Sequence, residues 1–271
     1  MFEQNKTASR SAAWVVVAVV GWAFVPAASA LAQRAGSVPP QPTGAEAMRN
    51  AAEANETLFL FCWKEDDANT KRMYQTLQAG LKEMGAGVTS ASANVADPRQ
   101  KGIVEKFGLD RAPMPLVLAI APNGAITGGW PIQMSKEQMR GAIVSETEMQ
   151  ALKALQARKL VLLCLYHPNG ENRLPEFHGA RDFKSDSPYG PATEMVMANI
   201  EEDGNARFLK RLRIEPSKTP DSFLLLAPPG NLVAQFASNA TKDEIVAKLK
   251  AAQSNPCAGG QCGPGGCGPK Q

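Results

Sequence analysis

Short apolar runs alternate with amphipathic stretches along the middle of this chain. Residues 58–62 (LFLFC) form an apolar run bounded by polar residues, and behind it Met73, Leu77, Leu81 and Met84 recur at helical spacing. That pattern is a strand followed by a helix. Gly85 and Gly87 stop the helix, and residues 88–95 return to strand. After Pro98 a helix runs to Phe107, residues 116–120 make a buried strand, and Asn123-Gly124 turns the chain so that Ala125 onward returns as an antiparallel partner. Ser135-Lys136-Glu137-Gln138 is a capping box that opens a last helix, and a further helix over residues 45–54 precedes the first strand.

The pattern then repeats. Ala93-Asn94-Val95-Ala96-Asp97 lies over Ala198-Asn199-Ile200-Glu201-Glu202, and Val104-Glu105-Lys106-Phe107-Gly108-Leu109 over Leu209-Lys210-Arg211-Leu212-Arg213-Ile214, both at an offset of 105. The run ending at Cys62 pairs with the run ending at Cys164 at an offset of 102, and the turn Pro122-Asn123-Gly124 with Pro228-Pro229-Gly230 at 106. A period this long exceeds a solenoid unit, so each copy should be a small domain with its own core. In the second copy, strands are predicted over residues 160–165, 194–200, 223–226 and 232–236, and Thr241-Lys242-Asp243-Glu244 caps the final helix. The poor match lies between Asn169 and Pro191. Pro175, Pro188, Pro191 and the glycines there predict irregular or fragmented structure in place of a long first helix.

This element order resembles the thioredoxin-like fold superfamily, and local details do too. Pro115 before Leu116-Val117-Leu118, and Pro220 before Phe223-Leu224-Leu225, stand where the superfamily has a proline, usually cis, ahead of its third core strand; Pro113 competes for that place in the first copy. Ala121-Pro122-Asn123-Gly124 and Ala227-Pro228-Pro229-Gly230 are similar to the hairpin turn of the exported, cytochrome-maturation-type branch. The resemblance spans residues 46–253 and implies an α/β chain of two tandem thioredoxin-like domains, each a central mixed sheet flanked by helices.

In thioredoxin-type oxidoreductases a C-x-x-C motif sits where the first core strand turns into the first helix, whose N-terminus stabilises the attacking thiolate. Carried onto this chain, the motif falls on Asp66, Asp67, Ala68 and Asn69 in the first copy and on Pro168, Asn169, Gly170 and Glu171 in the second, with no cysteine in either. Asp66, Asp67 and Asn69 suit a helix N-terminus on capping grounds alone. Cys62 and Cys164, four residues before the missing motif, read as small buried hydrophobes, each inside its own domain and too far apart to bridge. His167 and His178, with Glu171, Glu176 and Asp182 close in sequence, have the residue types of a transition-metal site, but their spacing fits a solvated loop better. Met195 and Met197 alternate on a strand and read as core.

The chain has 271 residues and a net charge of +3, which gives no electrostatic footprint for nucleic acid. At its start, Lys6 and Arg10 precede an apolar stretch over residues 12–25 and the small-residue run Ala28-Ser29-Ala30, so residues 1–32 read as an export signal. Membrane association would come only through this segment if it stayed uncleaved. A Pro-rich linker (33–44), a first domain (45–145), a second (146–253) and a Gly/Cys-rich tail (254–271) complete the expected organisation.

Cys257, Cys262 and Cys267 lie in that tail at C-x4-C-x4-C spacing with nothing apolar to pack. Glycine lets three thiolates converge on a soft ion such as Cu or Zn, and the same cysteines can form a disulfide with one thiol left over. No cofactor is otherwise indicated. The sequence thus points to an exported, periplasmic or secreted, tandem thioredoxin-like protein that has lost its dithiol and binds or assembles a protein partner outside the cytoplasm, more a scaffold than an enzyme. Two alternatives stay open: a thiol-disulfide oxidoreductase working through the tail cysteines, and a soft-metal binder through the same residues.

Overall fold

A strand flanked by neighbours and covered on both faces should be apolar nearly throughout, and β1 (Thr57–Trp63) is such a strand, apolar and buried from Leu58 through Cys62. It is an inner strand of its sheet in a computed structural model that describes residues 42–168 and 177–254. Helix α1 (Gly44–Glu53) precedes it under a Thr43/Glu46 capping box. Then follow α2 (Ala68–Met84), β2 (Val88–Asn94), α3 (Lys101–Phe107), β3 (Leu116–Ile120), β4 (Ile126–Pro131) and α4 (Lys136–Gly141), the last opened by the Ser135/Gln138 box. The second copy runs α5 (Glu146–Gln156), β5 (Leu160–Tyr166), α6 (His178–Asp186), β6 (Thr193–Asn199), α7 (Ala206–Arg211), β7 (Ser222–Ala227), β8 (Asn231–Ala237) and α8 (Lys242–Ser254).

Two four-stranded sheets result, ordered β2-β1-β3-β4 and β6-β5-β7-β8. In each, the first two strands in sequence are parallel and the last two are added antiparallel. This is the βαβ-plus-ββα arrangement of a thioredoxin-like domain, and it occurs twice in tandem. Even the irregularity is copied: register slips between Ala119 and Ile120 in one hairpin and between Leu225 and Leu226 in the other. Among the described residues no helix is long and apolar enough to cross a membrane.

Alternation along the central strands divides each core in two. In the first domain Leu58, Leu60 and Cys62 face α1 and α3, whereas Phe59 and Phe61 face α2 and α4 with Met73, Leu77 and Met139. In the second, Val161, Leu163 and Leu165 face α5 and α7, and Leu162 and Cys164 face α6 and α8.

This register corrects the expected pairing of the two cysteines. Cys62 opposes Ala93 and Leu116, and the residue opposing the corresponding Ala198 and Ser222 is Leu165, whereas Cys164 opposes Met197 and Phe223. Cys62 therefore corresponds to Leu165, and Cys164 to Phe61. Aligning the two cysteines slips the strand by one residue, which turns every side chain to the wrong face. The two thiols lie on opposite faces of their sheets.

The expected interruption in the second copy is also partial. Helix α2 has 17 residues, and its counterpart α6 has nine, beginning at His178; residues 169–176, with Pro175, lie outside the described ones. Gly179 sits inside α6 for a packing reason. A Cβ there would come within 1.9 Å of the Ala240 carbonyl oxygen, so the missing side chain lets α6 press against the chain entering α8. Gly179→Ala should therefore destabilise the protein, by roughly 1–3 kcal/mol, even though alanine is the better helix former. A denaturant midpoint equal to wild type would show that the contact yields freely.

The two domains meet where the β3–β4 turn rests on α5. Asn123 Nδ2 donates to the Met149 carbonyl at 2.7 Å. The Gln156 side-chain amide serves both backbone groups of Ile126, accepting from its N–H at 2.9 Å and donating to its carbonyl at 2.7 Å. An edge residue of the first sheet is thereby satisfied by the second domain. Arg207 Nη1 adds a bond to the Arg140 carbonyl at 3.1 Å.

Candidate functional site

The corner where β1 gives way to α2 is where a thioredoxin-like dithiol would stand. Asp67 is the N-cap of α2, and its Oδ1 accepts the Thr70 N–H at 2.8 Å, as a short acidic side chain at a helix start should. That backbone bond is the main cause holding the Asp67 carboxyl below its ordinary value of 3.8. Asp66 pairs with Lys71 at 3.3 Å across exposed surface. Ala68 and Asn69 are the first two residues of the helix. These side chains cap and solvate a helix end, and none of them is a thiol.

Asp67→Ala should lower the thermal midpoint by a few degrees, read by circular dichroism. The pH dependence follows from the sign of the shift. A carboxyl depressed on folding contributes fully above its unfolded value and loses that contribution as pH falls through the folded value, so the difference between wild type and variant should shrink below pH 3.8.

Beside this corner is an aromatic hollow of about 180 Å³ between Phe61, Trp63, Lys71, Tyr74 and Ser92. The rings of Phe61 and Tyr74 lie 5.3 Å apart, and Trp63 Nε1 donates to Ser92 Oγ at 3.0 Å, which fixes the indole. Tyr74 stays exposed on its outer side. Such a surface can hold an apolar or aromatic side chain.

Cys62 is fully buried, with its Sγ against the Leu60 carbonyl at 3.9 Å, and burial pushes its pKa up to about 12. Cys164 is equally buried and also raised to about 12 by burial, with Arg181 a small opposing influence. Neither can be a ready thiolate.

Of the two proline positions, Met114–Pro115 is a cis bond and Pro115 is buried directly before β3. Thr219–Pro220 is not among the cis bonds; the second one in the described residues is Pro228–Pro229, in the β7–β8 turn. The reason is again register. Leu116 opposes Cys62 and Ser222 opposes Leu165, so the residue in the place of Pro115 is Asp221, and Pro220 lies one step before it.

Asp221 was not singled out by sequence, and it organises the second corner. Its Oδ1 accepts the His167 backbone N–H at 2.9 Å and lies 3.0 Å from His167 Nδ1, which ties the end of β5 to the start of β7. The only signal available was its offset of 106 from Pro115. Pro168 follows this pair and is exposed, while Asn169, Gly170, Glu171 and Glu176 lie outside the described residues. His178 opens α6. Among the described residues no three His, Cys, Asp or Glu side chains gather as metal ligands. Met195 and Met197 pack half-buried against the α6/α8 core. Cys257, Cys262 and Cys267 lie outside the described residues.

No protein-family model matches the chain. No curated protein matches it by sequence. Solved structures do align with it. The first two thioredoxin domains of Naumovozyma dairenensis Eps1p share 14% identity, covering 74% of this chain and 90% of that one, with a TM-score of 0.29. The same two domains of Saccharomyces cerevisiae Eps1p share 10%, over 74% and 91%, also at 0.29. The zinc-bound form of human ERp44 shares 9%, covering 83% of this chain and 58% of its own, at 0.34.

Proposed function

We propose that this is an exported tandem thioredoxin-like protein whose domains no longer carry out dithiol chemistry and instead act as a binding or assembly scaffold for a protein partner outside the cytoplasm. The observation that supports this most is the placement of the domain thiols: Cys62 and Cys164 are both buried, on opposite faces of their sheets, while the corner before α2 holds the capping side chains Asp66 and Asp67. A thioredoxin fold without an accessible thiol keeps its surfaces and loses its reaction. The hydrogen bonds that Gln156 and Asn123 make across the domain junction suit a scaffold that presents both domains together.

The tail cysteines would then supply whatever covalent or soft-metal chemistry the protein has. Reduction of insulin disulfides by the full chain and by a variant lacking residues 255–271 tests this. The truncated protein is expected to be inactive. Activity in the full chain that disappears on truncation would assign an oxidoreductase role to the tail, and activity that survives truncation would overturn the scaffold reading.

A further inference from the structure

A cleft of about 440 Å³ opens between α1, α3, the β3–β4 turn and α5, away from the α2 corner. Leu58, Ile103 and Ile120, all buried, form its floor. Three cations stand around it: Arg49 from α1, Lys106 from α3 and Lys153 from α5. Among the described residues no carboxylate lines it and none of the three cations has an ion pair, although Lys106 Nζ lies over the Phe107 ring at 5.3 Å. Glu46 feels Arg49, but its carboxylate is taken by the Thr43 N–H at 2.7 Å in the capping box. Lys153 reaches over the turn, its Nζ 3.2 Å from where a Cβ on Gly124 would be.

An apolar floor under three cations with no neutralising carboxylate among the described residues has a definite chemical complement. The volume is within the range of small-molecule sites, ~300–1,000 Å³. Long basic side chains can lay their methylenes along an apolar wall and keep their charges at its mouth. We infer that this cleft binds a soluble amphiphilic anion, an apolar body with a single carboxylate or phosphate head met by Arg49, Lys106 and Lys153. Because Lys153 belongs to the second domain and the other two cations to the first, the occupant spans the domain junction. This site is independent of the scaffold reading, since it uses neither the α2 corner nor any cysteine.

Isothermal titration of the full chain with decanoate, decyl phosphate and decyltrimethylammonium, each below its micelle concentration, is the test. Both anions are expected to bind one per chain, at least about tenfold tighter than the cation, and to weaken as salt rises. The double substitution Lys106→Gln with Lys153→Gln should cost the anions about tenfold and leave the melting temperature of the free protein unchanged. A second variant, Gly102→Leu, adds bulk at a lining position where a Cβ meets nothing within 4 Å, and should reduce binding with the charges intact. Equal affinity for the cation, or full affinity in the double variant, would overturn the inference. So would tighter binding of hexaglutamate or of phosphatidylglycerol vesicles than of decanoate, which would assign the cleft to an acidic protein segment or to a membrane surface.

Discussion

In native, reduced protein at pH 8, alkylating reagent should modify Cys62 and Cys164 at least about a thousandfold more slowly than cysteines in the tail. Only the thiolate reacts. Raising a thiol from its ordinary 9.0 to about 12 lowers the thiolate fraction by about three powers of ten at any pH below both values. Reagent access adds to this, because both side chains are fully buried. Mass spectrometry after brief labelling should find Cys257, Cys262 and Cys267 modified and the two domain cysteines modified only after denaturation. Fast native labelling of Cys62 or Cys164 would reveal an open domain thiol and revive the enzyme reading.

The same shifts make alkali a specific threat to the fold. A thiol whose folded pKa lies above its unfolded one contributes stability that is fully present below the unfolded value and is lost as pH rises toward the folded value. Between pH 9 and 12, therefore, each buried thiol should cost about 1.4 kcal/mol per pH unit, because the unfolded chain ionises first. Replacing both by alanine would remove that slope while introducing small cavities, so the variant should be weaker at neutral pH and flatter in alkali.

The duplication was legible because both copies use the same signals in the same order: an apolar run for the central strand, a Gly-containing turn between the last two strands, and a capping box before a closing helix. These signals are local, and local chemistry alone decides them. Register is different. It depends on which partner each strand residue meets, and Cys62 and Cys164 invited an alignment at an offset of 102 that pairing across the sheets moves to 103, from Cys62 to Leu165. The same single step moves the place of Pro115 from Pro220 to Asp221. The short α6 agrees with the expected interruption, but the role of Gly179 was hidden for a related reason. Gly179 reads as a helix breaker in sequence, but its effect depends on the Ala240 carbonyl, 61 residues away in the chain. The cleft was not legible at all, since Arg49, Lys106 and Lys153 are brought together only by the packing of two domains.

Phe223→Ala should be the most damaging single substitution of the second domain, costing about 3–5 kcal/mol in chemical denaturation. Phe223 is fully buried, stacks on Phe236 at 5.0 Å and meets Phe177 edge-on at 6.2 Å, while across the sheet it faces Cys164. The corresponding residue in the first domain is Val117, opposite Phe61 and Trp130. The difference follows from the helices. In the first domain the long α2 brings Met73 and Leu77 onto the sheet, and a valine is bulk enough beneath them. In the second, the nine-residue α6 supplies Phe183, with Phe177 just ahead of it, so the strand itself must fill the space with an aromatic ring. Val117→Ala removes fewer atoms and should cost clearly less. Hydrogen exchange should show the asymmetry directly, with Phe223→Ala speeding exchange in α6 and α8 while the amides of α2 keep their protection. Equal losses for the two alanine variants would mean that the ring is not what compensates for the shorter helix.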